Sequence, residues 1–264
     1  MKTLDIQSLN FAYSTRGPQV LRDVSFTTES GDLLAVLGPN GVGKSTLFKC
    51  MLGFLRNYAG KIYLNGSDIK SMTHKEIAKQ IAYIPQSTYP VFNYEVLDVV
   101  LMGLTSSLKV LSSPKQEHID EAQAALESLG IAHLAHAGYG EISGGERQLA
   151  LIARALVQKS KILIMDEPTA NLDYGNQFRV MQRISGLAKE GYTIILSTHN
   201  PDHAFLYANR VVMIHKGTVI ADGSPDSVLD ADLIKTVYGV SVKVESFENS
   251  CRRHNLCVPL DSEF

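Results

Sequence analysis

Apolar positions along the chain fall into short blocks whose period switches between two and 3.6 residues. Thr3-Leu4-Asp5-Ile6-Gln7 alternates, Val20 to Thr27 does so loosely, and the turn-prone stretch Ser14 to Pro18 separates them. That pattern predicts strands. Lys61-Ile62-Tyr63-Leu64, followed by Asn65-Gly66, predicts another strand and its turn. Together these pieces predict a small antiparallel sheet beside a larger core. Leu33 to Leu37 is apolar throughout and predicts a buried strand; helical spacing follows from Leu47 to Leu55. Thr73-His74-Lys75-Glu76 is a capping box opening a short helix, and Ile81 to Pro85 predicts a further buried strand.

Residues 87–145 differ in character and predict a helical subdomain inserted into the core. The stretch Val91 to Leu104 becomes helical after Asn93, with Val96, Leu97, Val100 and Leu101 as an apolar stripe read as local core. Ser113-Pro114-Lys115-Gln116 supplies an N-cap and a proline at the first helical position. Ile119, Ala122, Leu126 and Leu129 then recur at helical spacing, and Gly130 closes the helix. Beyond it, Lys161 to Met165 and Thr193 to Ser197 are apolar strands separated by a helix, a βαβ pattern that requires a parallel sheet. Arg210 to Ile214 and Thr218 to Asp222 flank Lys216-Gly217 as a closing hairpin. The predicted fold class is α/β: a phosphate-loop core with a mostly parallel sheet, an N-terminal antiparallel subdomain and the helical insertion.

The chemistry starts at Gly38-Pro39-Asn40-Gly41-Val42-Gly43-Lys44-Ser45-Thr46, which fits G-x-x-x-x-G-K-[ST] between a strand and a helix. Glycine lets successive backbone N–H groups point inward at phosphate oxygens, and the helix beyond adds the positive end of its dipole. Lys44 can reach the outer phosphates, and the Ser45 hydroxyl can ligate Mg²⁺. The strand Ile162 to Met165 ends in Asp166-Glu167. Asp166 is placed to hold Mg²⁺ or one of its waters, and Glu167 to act as general base toward water. Ser143-Gly144-Gly145-Glu146 is another capping box, with two glycines baring amides at a second helix entrance. One nucleotide cannot easily use both helix ends of one chain, whereas a two-fold dimer lets each copy close over the other's nucleotide.

Bulk properties narrow the field. The chain has 264 residues, 45% hydrophobic, with a formal net charge of -2. No global basic field exists to draw nucleic acid or an anionic membrane. No stretch reaches the roughly 18 apolar residues that span a bilayer. MKTLDIQSLNFAY shows no secretory pattern. Three cysteines form no dense framework, so a reducing, cytoplasmic compartment is expected. Cys251, His254 and Cys257 lack a fourth zinc ligand and the C-x₂-C spacing, and Cys50 is read as packing behind the phosphate loop.

With these motifs in this order, the chain resembles the nucleotide-binding subunit of ATP-binding cassette (ABC) transporters over roughly residues 1–235. Ser143-Gly144-Gly145-Glu146-Arg147-Gln148 resembles the signature sequence, with Ile142 replacing the usual leading leucine. The resemblance implies a cassette over residues 1–236, with the helical subdomain at 87–145, and a C-terminal extension over 237–264 packed on it. It implies an ATPase using ATP and Mg²⁺, in which Tyr13 stacks on adenine and Gly38, Asn40, Gly41, Gly43, Lys44, Ser45 and Thr46 bind phosphate. Ser45, Gln86 and Asp166 are implied for the metal, Glu167, His199, Gln86 and Lys44 for catalysis. Ser143, Gly144 and Gly145 of a second copy would reach the γ-phosphate, and Asp173 would lie in the loop that crosses the dimer interface, where Asn171 replaces a commoner serine or alanine. Separate permease subunits would carry the pathway and hold the chain at the cytoplasmic face of the membrane, docking a short helix near Gln86.

Looser similarity in Val96 to Gly103, Val237 to Val240 and Leu256 to Leu260 points to importers of iron–siderophore, haem or cobalamin. Such importers imply an extracytoplasmic binding protein. An exporter subunit would keep every core motif and remains the alternative. A soluble ABC ATPase acting on DNA or ribosomes fits less well, lacking the heptads of a long coiled coil or a second cassette.

Overall fold

The computed structural model describes residues 2–86, 94–106, 113–249 and 252–260. In chain order the first half places β1 (Lys2–Ala12), β2 (Gln19–Glu29), β3 (Leu33–Leu37), α1 (Lys44–Met51), β4 (Ala59–Leu64), β5 (Ser67–Asp68), α2 (His74–Ala78) and β6 (Ile81–Ile84). Three helices follow, α3 (Val96–Leu101), α4 (Gln116–Ser128) and α5 (Gly144–Val157). The second half runs β7 (Ile162–Met165), α6 (Tyr174–Lys189), β8 (Thr193–Thr198), α7 (Pro201–Tyr207), β9 (Arg210–His215), β10 (Thr218–Gly223), α8 (Pro225–Val228), α9 (Ala231–Tyr238), β11 (Val242–Asn249) and β12 (Arg252–Pro259).

Alternation along β1 and β2 builds the antiparallel sheet, ordered β2-β1-β4-β5. The apolar runs build a second sheet, ordered β10-β9-β3-β8-β7-β6. Its pairings are parallel except for the β9–β10 hairpin. Strand β3 is buried along its whole length because both its faces are covered. Leu33, Ala35 and Leu37 pack with the helical side, including α3, α4 and α5; Leu34 and Val36 pack with α1 and the antiparallel sheet. A period of two thus sends alternate residues of one strand into two cores. Each fully buried leucine or isoleucine contributes about 1.5–3 kcal/mol.

Register fixes where the chemistry emerges. Leu37 pairs with Thr198, Met165 with Leu196, and Ile84 with Met165. The four segments that follow these strand ends, beginning at Gly38, His199, Asp166 and Pro85, therefore leave the sheet at one carboxyl edge.

Some elements differ from the sequence reading. Helix α1 stops at Met51 rather than Leu55, because Gly53 turns left-handed at φ 69. Helix α4 starts at Gln116, with Lys115 rather than Ser113 as its N-cap residue; His118 Nδ1 accepts the Lys115 N–H at 2.9 Å. The apolar stripe is core as expected: Val96, Leu97 and Val100 are buried, and Leu101 is partly buried against the same core. The C-terminal segment forms the β11–β12 hairpin, paired from Val242–Pro259 to Asn249–Arg252. The sequence carries no tight-turn signal there. His254 and Cys257, three apart on β12, face opposite sides of the ribbon, and Cys251 lies outside the described residues.

Candidate functional site

The glycine pattern at the carboxyl end of β3 is enforced by geometry. Gly38 has φ 151, and a Cβ there would sit 2.4 Å from the Ile214 carbonyl oxygen. Gly43 has φ 111 as the residue entering α1, which only glycine adopts readily. Helix α1 thereby begins at Lys44, with its first three residues lining a cleft of about 440 Å³. Tyr13, Asn40, Gly41, Gly43, Lys44 and Ser45 line that cleft. Thr46, Gln86 and Glu167 complete the predicted residues found there. Gly38 does not line it; its carbonyl accepts the Lys44 ammonium at 2.7 Å. Tyr13 is 60% exposed, with its hydroxyl 3.0 Å from Thr46 Oγ1 and its ring edge-on to Phe11. A flat apolar face beside a phosphate loop suits a stacked base.

Lys44 is almost fully buried. Burial pulls its ammonium below the ordinary lysine range, against the opposing pull of Glu167 and then Asp166. Its Nζ lies 3.6 Å from Glu167 Oε1. Glu167 Oε2 accepts the Gln86 Nε2–H at 3.1 Å and lies 3.6 Å from His199 Nδ1. Four predicted residues, separated by more than 150 positions between Lys44 and His199, thus meet around one carboxylate.

Ser197 is the residue the motif reading missed. It is fully buried near the end of β8. Its hydroxyl donates to Asp166 Oδ1 at 2.6 Å, and its oxygen accepts the Glu167 amide N–H at 2.9 Å. Glu167 adopts φ 46, left-handed for a non-glycine residue, at a cost of about 1–3 kcal/mol that the surroundings must offset. The Ser197 bond and the Ala170 N–H donated to the Glu167 carbonyl at 3.0 Å hold that turn. A serine following the apolar run Ile194 to Leu196 was its sequence signal, and the threonines at both ends of β8 make that signal weak.

The second helix entrance is built as expected. Ser143 Oγ accepts the Glu146 N–H at 3.3 Å, and Glu146 Oε2 accepts the Ser143 N–H at 2.7 Å. Asp173 caps α6 by accepting the Asn176 N–H at 2.9 Å. These bonds hold both carboxyls below their ordinary range. A Cβ at Gly145 would lie 2.6 Å from Asn176 Cγ, so the entrances of α5 and α6 sit side by side. None of Ser143, Gly144, Gly145 or Asp173 lines the phosphate-loop cleft.

A separate cleft of about 570 Å³ opens between α2, β6 and α5, lined by Phe54, His74, Ile77, Tyr83, Met102 and Arg154 among others. Among the described residues no helix is long and apolar enough to cross a membrane.

A family model described as "ABC transporter" matches residues 21–170. The chain is 33% identical to the iron(3+)-hydroxamate import ATP-binding protein FhuC of Bacillus subtilis, over 92% of this chain and 90% of that one. It is 36% identical to the molybdate import ATP-binding protein MolC of Haemophilus influenzae, over 81% and 80% respectively. An inward-facing structure described as a metal-chelate type ABC transporter superposes with TM-score 0.87 at 31% identity, covering 99% of this chain and 98% of that one.

Proposed function

Because this chain belongs to the ABC transporter family, we propose that it is the ATP-hydrolysing subunit of an importer whose cargo is a metal chelate. The observation that carries the catalytic part is the meeting of Lys44, Gln86, Glu167 and His199 at one sheet edge beside an anion-binding loop.

ATP seats its triphosphate on the amides of Gly41, Gly43, Lys44, Ser45 and Thr46, with Asn40 at the rim and Tyr13 against adenine. Lys44 leaves the Gly38 carbonyl for phosphate oxygens, which relieve its desolvation. Glu167 accepts a proton from water as that water attacks the γ-phosphorus. The bond to the β–γ bridging oxygen breaks, and ADP and phosphate leave. His199 and Gln86 orient the water and the γ-phosphate, so positioning and electrostatics supply the rate.

The donor set fits Mg²⁺, a hard cation that prefers oxygen. Asp166 offers a buried carboxylate, Ser45 a hydroxyl, and Gln86 an amide oxygen while its nitrogen serves Glu167. When bound, Mg²⁺ neutralises charge on the phosphates.

Two copies face each other head to tail. Ser143, Gly144 and Gly145 of each cover the nucleotide of the other, and Asp173 crosses the seam. The absence of these residues from their own chain's cleft supports that arrangement. Permease subunits dock a short helix in a groove near Gln86, keeping the chain peripheral at the cytoplasmic face. An extracytoplasmic binding protein delivers the cargo to them.

A two-stage experiment tests this reading. Glu167→Gln, with ATP and Mg²⁺, is expected to form dimers by light scattering while hydrolysis falls by about 10²–10⁴. Wild-type turnover in that variant removes Glu167 as the base. Vesicles holding the chain with its co-purified permeases are expected to accumulate ferric hydroxamate in an ATP-dependent way. Accumulation of molybdate instead favours a second reading, raised by the similarity to MolC.

A further inference from the structure

His199 is held from outside the phosphate-loop core. Its ring is 56% exposed and approaches Glu167 only at 3.6 Å, too long for a hydrogen bond. The backbone turn that carries it must therefore do the positioning. A chain of hydrogen bonds brackets that turn. Thr198 Oγ1 accepts the Asn200 N–H at 3.1 Å, Asn200 Oδ1 accepts the Asp202 N–H at 2.9 Å, and Asp202 Oδ1 accepts the Cys257 N–H at 2.8 Å. The last bond spans 55 residues and ties β12 to the first turn of α7. The same ribbon is anchored again where Asn255 Nδ2 donates to Asp226 Oδ1 at 2.7 Å.

The C-terminal segment also touches the other side of the site. Tyr238, the last residue of α9, buries its hydroxyl near the backbone of Gly38, whose carbonyl holds Lys44, without a hydrogen bond to it. Cys257 lies close enough to feel the same environment: burial, then the Asp202 carboxylate, push its thiol up to about 11. The ribbon therefore buttresses the histidine turn, and the helix before it lies beside the start of the phosphate loop.

We propose that Asp202, bonded to the Cys257 amide, is a positioning residue through which the C-terminal hairpin holds His199 in its hydrolytic place. The inference rests on the role given to His199 above. An acceptor at Asp202 is what the arrangement requires; a charge is not.

The test compares Asp202→Ala with Asp202→Asn in the full-length chain. Asp202→Ala is expected to lower kcat for ATP about fivefold, the equivalent of one hydrogen bond, while KM for ATP stays unchanged. Asp202→Asn keeps the acceptor and is expected to restore kcat. In parallel, amide hydrogen exchange over 198–204 is expected to speed up in Asp202→Ala and return to the wild-type pattern in Asp202→Asn. Equal kcat in wild type and Asp202→Ala overturns the proposal, as does an Asn variant as slow as the Ala variant. Should the wild-type chain itself hydrolyse no ATP, the reading of the site fails on that account, and unchanged exchange over 198–204 in Asp202→Ala separately overturns the hairpin's role.

Discussion

The Ser197 hydroxyl donates to Asp166 Oδ1 at 2.6 Å while accepting the Glu167 amide at 2.9 Å. One buried side chain on β8 thus orients the carboxylate proposed for Mg²⁺ and pins the strained turn of the candidate base just beyond β7. Ser197→Ala strands the Glu167 amide without a partner, which costs about 1–3 kcal/mol. Urea melts are expected to show that loss, with ATP hydrolysis reduced more than ATP binding. A variant as stable and active as wild type removes Ser197 from this role.

Lys44 is buried with its charge opposed by desolvation. Phosphate oxygens are its best available partners, so Lys44→Met is expected to abolish nucleotide binding without unfolding the chain. Wild type with ATP at about 100 times Kd gains about 2.7 kcal/mol of stability. Thermal melts with and without ATP are expected to show that gain in wild type and none in Lys44→Met.

Tyr13 presents its ring face and fixes its hydroxyl on Thr46. Loss of base stacking costs about 1–3 kcal/mol. Tyr13→Ala is expected to weaken ATP binding accordingly, and Tyr13→Phe to retain most of the affinity. Calorimetric titration that finds both variants equally weak would assign the effect to the hydroxyl instead.

Acid is expected to loosen the two adjacent helix entrances together. Glu146 and Asp173 have carboxyls held below their ordinary values of 4.5 and 3.8. Groups depressed in the folded state stabilise it above those values and lose that contribution as pH falls through the folded ones. Hydrogen exchange at the starts of α5 and α6 is therefore expected to accelerate below those ordinary values. Glu146→Gln, which cannot titrate, is expected to flatten the response at α5.

Much of the site was legible because phosphate binding demands particular residue types at fixed local spacing. Gly38, Gly43 and Lys44 lie within seven positions and declare a loop whose backbone no other sequence makes as readily. The capping boxes at Thr73–Glu76 and Ser143–Glu146 were equally local, and both form. Ser197 was invisible as a functional residue because a lone serine has meaning only through what lies across the sheet. The N-cap of α4 moved to Lys115 because His118 accepts the amide of Lys115, the reciprocal bond that Gln116 would have made to Ser113. The β11–β12 ribbon, lacking a tight-turn signal, went unread.

The sequence by itself determined most of the elements, the loop, and the order of the motifs, since each depends on residues within a turn or two of one another. Only the tertiary structure decided that Lys44, Gln86, Glu167 and His199 meet, and that Cys257 reaches the turn beside His199. Those meetings depend on parallel strand register and on burial across distant segments. Such contacts form only when the whole sheet closes, and no local pattern encodes them.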